Sequence, residues 1–309
     1  MTTGDGESSG EEPTVSVVLP TYNRGDVVGD AIESVLDQSY RNLELLVVDG
    51  GSTDETPAVV ESVTDPRLRY LRGDEPEGVS AARNVGVRAA EGELVAFVDS
   101  DDRWRRGKLR KQVDALRAEP NCGVVYCGME KSHGEPMTRD GRSGDVLEAL
   151  RRLSIPTYTS LLLVAREALN RCGGFDERLP CFEDWELCLR LARRHAFAYV
   201  DEPLVVKGDG GGGVSADPEN VAAAYRRIRR EYDLPAETRA QFLADAGTTY
   251  CEDGRLREGR PYLRRSLELD FRPNAAAALA FSLPGSPALF DALMERLYAV
   301  ERAAGRLRG

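Results

Sequence analysis

Lysine is scarce in this chain: Lys108, Lys111, Lys131 and Lys207 are four of its 41 basic residues, and arginine supplies the rest. Against them stand 52 acidic residues, a formal net charge of −11. That balance excludes bulk electrostatic binding to DNA, RNA or anionic lipid. An acidic, arginine-rich chain suits a high-salt, halophilic cytoplasm, and a GC-rich genome would produce the same arginine bias. Histidine is limited to His133 and His195. No apolar run approaches the roughly 20 residues that a membrane-spanning helix needs; Val15–Leu19 and Leu161–Ala165 are strand-sized. The six cysteines (Cys122, Cys127, Cys172, Cys181, Cys188, Cys251) form no CxxC pair and no zinc spacing, so they read as reduced core thiols of a cytosolic protein. No GxGxxG follows the first apolar run, which excludes a conventional dinucleotide fold. The basic, glycine-rich phosphate loop of a nucleotidyltransferase is also missing. Residues 1–13 are Gly/Ser/Glu-rich with no basic start and no apolar segment, so they read as a disordered leader rather than a signal peptide.

What is present is an alternation. Val15–Leu19 and Leu43–Val48 are uninterrupted apolar runs rich in β-branched residues, the pattern of strands buried on both faces. Arg67–Leu71 and Leu94–Val98 continue the series, with helical spacing over 26–38, from about Asp54, and over 80–90 between them. A further helix is expected over 106–118 and a strand over Gly123–Cys127. Strands alternating with helices predict an α/β fold with a mainly parallel sheet that binds ligands beyond the carboxyl ends of its strands. Gly208–Gly213 carries five glycines and reads as a mobile loop. After 217 the pattern is helical only. A hairpin over 245–269, turning at Gly254, faintly resembles one tetratricopeptide unit, which cannot bury its apolar face alone. It is expected to pack on the first domain (14–217) or on a second copy, which would make a homodimer through the C-terminal helical region (218–309).

Candidate chemistry gathers at strand ends. Asp99-Ser100-Asp101 directly follows the fourth strand, where residues i and i+2 of extended chain point to one side. Two carboxylates there suit Mg²⁺ or Mn²⁺, which take a carboxylate or two plus substrate phosphates. Asp102 adds a third acid. Pro20, Thr21, Tyr22 and Asn23 after the first strand make a polar turn with an aromatic, suited to a base or ribose. Asp49 ends the second strand, followed by Gly50, Gly51 and Ser52, and could accept from a base N–H or a ribose hydroxyl. The small-residue helix start Gly78–Asn84 includes Arg83, suited to a diphosphate. Glu183, Asp184 and Trp185 open a helix; acids in a first turn also arise from the helix dipole alone.

Four stretches in this order, VSVVLPTYNR (15–24), LELLVVDGGSTDET (43–56), GVSAARNVGVRAAEGELVAFVDSDDRW (78–104) and GGFDERLPCFEDWELCLRLA (173–192), resemble the family 2 glycosyltransferases. The resemblance covers about residues 14–215. It implies a GT-A fold, a Rossmann-like mixed but mainly parallel sheet flanked by helices, here with a C-terminal helical extension. It also implies an inverting transfer from a UDP- or GDP-sugar to a hydroxyl of a glycan, lipid-linked or protein-linked acceptor in cell-surface glycan synthesis. On that basis Pro20, Thr21, Tyr22, Asn23, Asp49, Ser52, Arg83, Asp99 and Ser100 would bind the donor. Asp101, with Asp99, would hold Mn²⁺ or Mg²⁺, and Asp184, supported by Glu183, would be the general base. Ser160, Trp185 and Arg190 fall on the acceptor side. Many relatives have a second acid where this chain has Gly50, and a histidine after the last core strand where this chain has Lys207, which could meet phosphate directly. The same fold also serves transfer to polyprenyl or dolichyl phosphate and, without turnover, a nucleotide-sugar-binding scaffold. The expected location is cytoplasmic, at the inner face of the plasma membrane, with peripheral membrane contact and no nucleic acid partner.

Overall fold

The computed structural model describes residues 12–119, 121–137, 141–208 and 217–306. Most of the expected leader and all but Gly208 of the glycine run lie outside the described residues. The chain begins β1 (Val15–Thr21), α1 (Val28–Leu36), β2 (Leu43–Asp49), α2 (Thr56–Glu61), β3 (Leu68–Arg72), α3 (Val79–Ala89) and β4 (Leu94–Phe97). It continues β5 (Arg103–Trp104), α4 (Lys108–Ala118), β6 (Cys122–Lys131), α5 (Leu147–Arg151), a 3₁₀ turn (Thr159–Leu161), β7 (Leu163–Ala165), α6 (Arg166–Cys172), α7 (Glu183–Ala192) and β8 (Ala196–Lys207). Five helices follow: α8 (Pro218–Glu231), α9 (Ala236–Glu252), α10 (Leu256–Leu269), α11 (Pro273–Ser282) and α12 (Pro287–Arg306).

The strands form one sheet in the order β3-β2-β1-β4-β7-β6-β8-β5. β3, β2, β1 and β4 are parallel, with Thr21 in register with Asp49, so their carboxyl ends share one edge. β7 is antiparallel to both β4 and β6, and β5 is antiparallel to β8. Every residue of β1 is buried, including Ser16, whose hydroxyl donates to Glu44 Oε1 at 2.6 Å and accepts from the Gly92 N–H at 2.9 Å. The expected parallel α/β half is thus present. β5, two residues long, was not legible as a strand; β7 is the end of the strand-sized apolar run Leu161–Ala165.

Contact density divides the chain into two units, and the division does not fall at one point near 217. The first unit runs to Val146 and resumes over Ile155–Phe175 and from Arg190 through β8; it holds the whole sheet. Leu147–Ser154 and Asp176–Leu189 belong instead with the C-terminal helices in the second unit. That unit has its own core of Ala244, Cys251, Leu256, Leu263, Ala275, Ala278, Phe290 and Met294. The hairpin α9–α10 therefore does bury its apolar face, against α11 and α12. Among the described residues no helix is long and apolar enough to cross a membrane.

One close approach places the functional edge of the first unit. α3 packs on β1 and β2, and a Cβ at Gly86 would lie 2.4 Å from Val18 Cγ1. Only a residue without a side chain lets the helix carrying Arg83 sit this near the sheet. Gly86→Ala should therefore destabilise the protein by about 1–3 kcal/mol through overpacking, against the roughly 1 kcal/mol that alanine gains in helix propensity. Chemical denaturation measures this, and Gly86→Ala combined with Val18→Ala should lose less than the sum of the two; additive losses would contradict the contact.

Candidate functional site

The site grows from the loop after β4. Val98 extends that strand through an N–H bond to Val18 O at 3.1 Å, and Asp102 N–H then turns back onto Asp99 O at 3.0 Å. Three acids are thereby presented in four residues, and their surroundings separate them.

Asp99 keeps 29% of its side chain exposed. Its Oδ1 accepts from Arg83 Nη2 at 2.7 Å and from the Thr159 hydroxyl at 3.1 Å, and Arg83 Nη2 also reaches Thr159 Oγ1 at 3.1 Å. Arg83 is itself buried, its guanidinium carbon 5.4 Å from the Phe175 ring centroid. Burial raises the Asp99 carboxyl, but the charges of Arg83 and Lys207 and the two side-chain hydrogen bonds outweigh it and hold the group below its ordinary range.

Asp102 has only 1% of its side chain exposed. Its Oδ2 accepts from the Ser160 hydroxyl at 2.6 Å; its Oδ1 accepts from Lys207 Nζ at 3.0 Å and from the Gly208 N–H at 3.1 Å. Ser160 Oγ in turn accepts from the Asp99 N–H at 3.0 Å. Burial, then repulsion from Asp99, pushes the Asp102 carboxyl up to about 6. Lys207 is held protonated by Asp102, Asp99 and Asp101 despite its own burial, so the pair titrates on the carboxyl side. Asp101, 14% exposed, lies with its Oδ1 3.9 Å from Lys207 Nζ. Gly208 fits so tightly that a Cβ there would fall 1.9 Å from Asp101 O.

A second cluster closes the neighbouring strand ends. Asp49 is buried; its Oδ1 accepts from the Ser52 N–H at 2.9 Å and hydroxyl at 2.6 Å, and its Oδ2 accepts from the Tyr70 hydroxyl at 2.5 Å. Burial and that bond to Asp49 raise the Tyr70 phenol. Ser52 Oγ also accepts from the Asn23 N–H at 2.8 Å, and Asn23 Oδ1 accepts from the Thr53 N–H at 2.9 Å. Asn23 takes a left-handed conformation (φ 50°), which asparagine tolerates. Tyr22, beside it, is 46% exposed. The Thr21 hydroxyl is buried with no hydrogen-bond partner among the described residues, as is that of Ser80 in the first turn of α3.

The structure therefore brings Arg83, Asp99, Ser100, Asp101, Ser160 and Lys207 into one cluster, and joins Thr21, Asn23, Asp49 and Ser52 in another. Ser160, expected on the acceptor side, is instead fully buried and ties Asp99 to Asp102. Lys207, expected to meet phosphate, is already bonded to Asp102. Sequence reasoning missed Thr159 and Tyr70. Neither stands in a motif; each reaches the site through a contact distant in sequence.

Glu183, Asp184 and Trp185 open α7 in the second unit. Glu183 is buried and Asp184 half-buried, with its Oδ1 accepting from the Trp185 N–H at 2.6 Å. Trp185, a second of the three expected acceptor-side groups, is 2% exposed and donates its indole N–H to Leu150 O at 2.8 Å. Arg190, in the first unit, donates to Cys172 O at 2.6 Å. Beside Asp184, the Cys181 thiol is pushed up to about 12 by burial and the charges of Glu183, Asp184 and Asp217, which makes it unreactive. None of the six cysteines is in a disulfide.

Removing Lys207 should expose what it does for the loop. Lys207→Met leaves Asp102 buried without its cation and should cost about 2 kcal/mol, less than a fully buried pair because the ammonium is partly solvated. A carboxyl whose folded pKa is raised to about 6 contributes stability that is full below its unfolded pKa of about 4 and is lost as pH rises through the folded value. Without Lys207 that folded value moves higher. The deficit in unfolding midpoint should therefore be larger at pH 8 than at pH 5; an equal deficit at both would contradict the pairing.

A profile described as glycosyl transferase family 2 matches residues 16–175. The putative teichuronic acid biosynthesis glycosyltransferase TuaG of Bacillus subtilis is 39% identical over 119 residues, 38% of this chain and 47% of that protein. The chain spans about half the length of such curated relatives. Among solved structures, S. aureus TarS 1-349 in complex with UDP-GlcNAc has a TM-score of 0.64 at 20% identity, over 93% of this chain and 92% of that one. The mannosyltransferase PcManGT from Pyrobaculum calidifontis, solved with GDP-Man and Mn²⁺, has a TM-score of 0.59 at 23% identity, over 96% and 87%. At these identities the two structures establish the likeness of fold, the GT-A type of mainly parallel sheet flanked by helices. With the profile covering more than half of its length, the chain belongs to glycosyl transferase family 2.

Proposed function

We propose that the chain is an inverting glycosyltransferase that moves a sugar from a UDP- or GDP-sugar to an acceptor hydroxyl in the synthesis of a cell-surface glycan. The observation that carries this reading is the arrangement after β4: one carboxylate kept ionised by a buried arginine, a second beside it, and a third turned inward to brace the loop. Such a loop holds charge ready at the strand ends where an α/β sheet binds its ligand. The unpartnered hydroxyl of Thr21 and the exposed ring of Tyr22 support a base and ribose lodging at the end of β1. The bonded pair Asp49–Ser52 holds the turn that carries them. TuaG, named for teichuronic acid biosynthesis, supports the glycan assignment.

A divalent cation fits the donor set in one way. Among the described residues no three His, Cys, Asp or Glu side chains are grouped to hold a metal. Asp101, helped by Asp99, would therefore hold Mn²⁺ or Mg²⁺ only with the oxygens of the donor's diphosphate completing the shell. The ion would neutralise charge developing on the leaving nucleoside diphosphate. Arg83 and Lys207 act on the protein side: they keep Asp99 ionised and hold the loop in place. Asp184, with Glu183 beside it, is the carboxylate assigned to take the acceptor's hydroxyl proton. The acceptor is a glycan, a lipid-linked or a protein-linked sugar, met at the inner face of the plasma membrane.

Calorimetric titration with UDP, GDP and dTDP, each with and without Mn²⁺, tests the donor half of this reading. One of the three should bind, with affinity raised about tenfold or more by Mn²⁺, whose coordination adds over 1 kcal/mol. Mn²⁺ alone should bind weakly, since the protein offers too few ligands. A folded protein that binds none of the nucleotides would overturn the proposal.

A further inference from the structure

The second unit places one aromatic ring, Phe242, against a residue on each side of Asp184. Phe182, two residues before it, has a left-handed backbone (φ 63°). An aromatic residue keeps that conformation only where its surroundings over-determine it, and such positions gather at functional sites. What holds it here is Phe242 of α9. The Phe182 ring meets the Phe242 ring edge-on, centroids 4.9 Å apart at 84°. Trp185, one residue after Asp184, packs on the same ring at 5.3 Å and 63°. Phe242 is itself fixed: 1% exposed, and stacked on Tyr225 of α8 at 6.0 Å. The rest of the segment is tied to α8 and its C-terminal cap: Tyr232 donates to Glu186, and Arg227 Nε donates to Asp176 Oδ2 at 3.0 Å.

We propose that the C-terminal helices are part of the catalytic machinery, and that Phe242 is a positioning residue for Asp184. By gripping Phe182 and Trp185 it fixes the left-handed residue from which α7 starts, and so the direction of the carboxylate between them. The inference rests on the reading of Asp184 as the base. It explains why Asp176–Leu189 belongs with the C-terminal helices rather than with the sheet. It also gives the helical region a task in the reaction that its sequence does not announce.

The test uses the full chain with four substitutions: Phe182→Gly, Phe182→Tyr, Phe242→Leu and Asp184→Asn. Release of UDP or GDP is followed from UDP-glucose, UDP-N-acetylglucosamine and GDP-mannose with Mn²⁺, water serving as acceptor. Nucleotide affinity and unfolding midpoint are measured alongside. Misplacement of a reacting group by about 1 Å can cost on the order of a hundredfold in rate. Phe182→Gly and Phe242→Leu should therefore lower kcat about 10- to 100-fold, with donor KM and nucleotide affinity within about twofold of the parent. Phe182→Tyr, which keeps the half-buried ring, should retain the parent's kcat. Phe182→Gly accepts the left-handed backbone without strain, so it keeps the test sound if Phe242→Leu does not fold. If Asp184→Asn is inactive while Phe182→Gly keeps full kcat, the positioning role is overturned and the base assignment stands. An active Asp184→Asn, or a parent protein that binds nucleotide yet consumes none of the three donors, overturns the base assignment and this inference with it.

Discussion

A carboxylate that almost never meets water, Asp102, holds the functional edge of the sheet together. Burying a charge is costly unless it is paired and fully hydrogen-bonded. Here the three bonds come from two separate places in the chain: Ser160 before β7, and Lys207 with the backbone of Gly208 at the end of β8. Each of these is thereby fixed against the loop after β4. Ser160 passes the constraint on by accepting from the Asp99 N–H, so the inward acid also sets where the outward one stands.

The three acids of this loop share one composition and have different environments. Asp99 has a buried arginine and a threonine on one oxygen and stays ionised. Asp102 has less exposure and the repulsion of Asp99, and its carboxyl rises to about 6. Environment rather than residue type decides which acid is available to a ligand, the same logic by which paired carboxylates take different roles in enzymes. Among the described residues Asp101 has no hydrogen bond as short as these, and it lies near an ammonium 3.9 Å away that a donor-bound cation would have to tolerate or displace. The arrangement suits a cation that arrives with its phosphates better than one bound in advance.

How much of this could be read beforehand follows from the range of the interactions. β1 to β4 were legible because a run such as Val15–Leu19 carries its own evidence, and Asp99 and Asp101 because they follow such a run directly. β7 lies in the apolar run Leu161–Ala165, whereas the short strand β5 exists only as a pairing with distant chain, Trp104 with Val205, and no local pattern marks it. The same holds within the site. Ser160 and Lys207 could be singled out as polar residues in the right region, but their partner, Asp102, lies far away in sequence. The place of Trp185 could not be read either: its indole is part of the packing that ties Asp176–Leu189 to α9. Tertiary contacts override local pattern in each case.

The central claim is that the loop divides its acids, Asp101 outward to the donor and its cation, Asp102 inward to the fold. It is tested most directly by comparing Asp101→Asn with Asp102→Asn in two measurements, the gain in nucleotide affinity on adding Mn²⁺ and the unfolding midpoint. Asp101→Asn should abolish the Mn²⁺-dependent gain and leave the midpoint where it was. Asp102→Asn should lower the midpoint by several degrees, since Lys207 loses its buried partner. A Mn²⁺-dependent gain that survives in Asp101→Asn, with Asp102→Asn as stable as the parent, would contradict the division of roles.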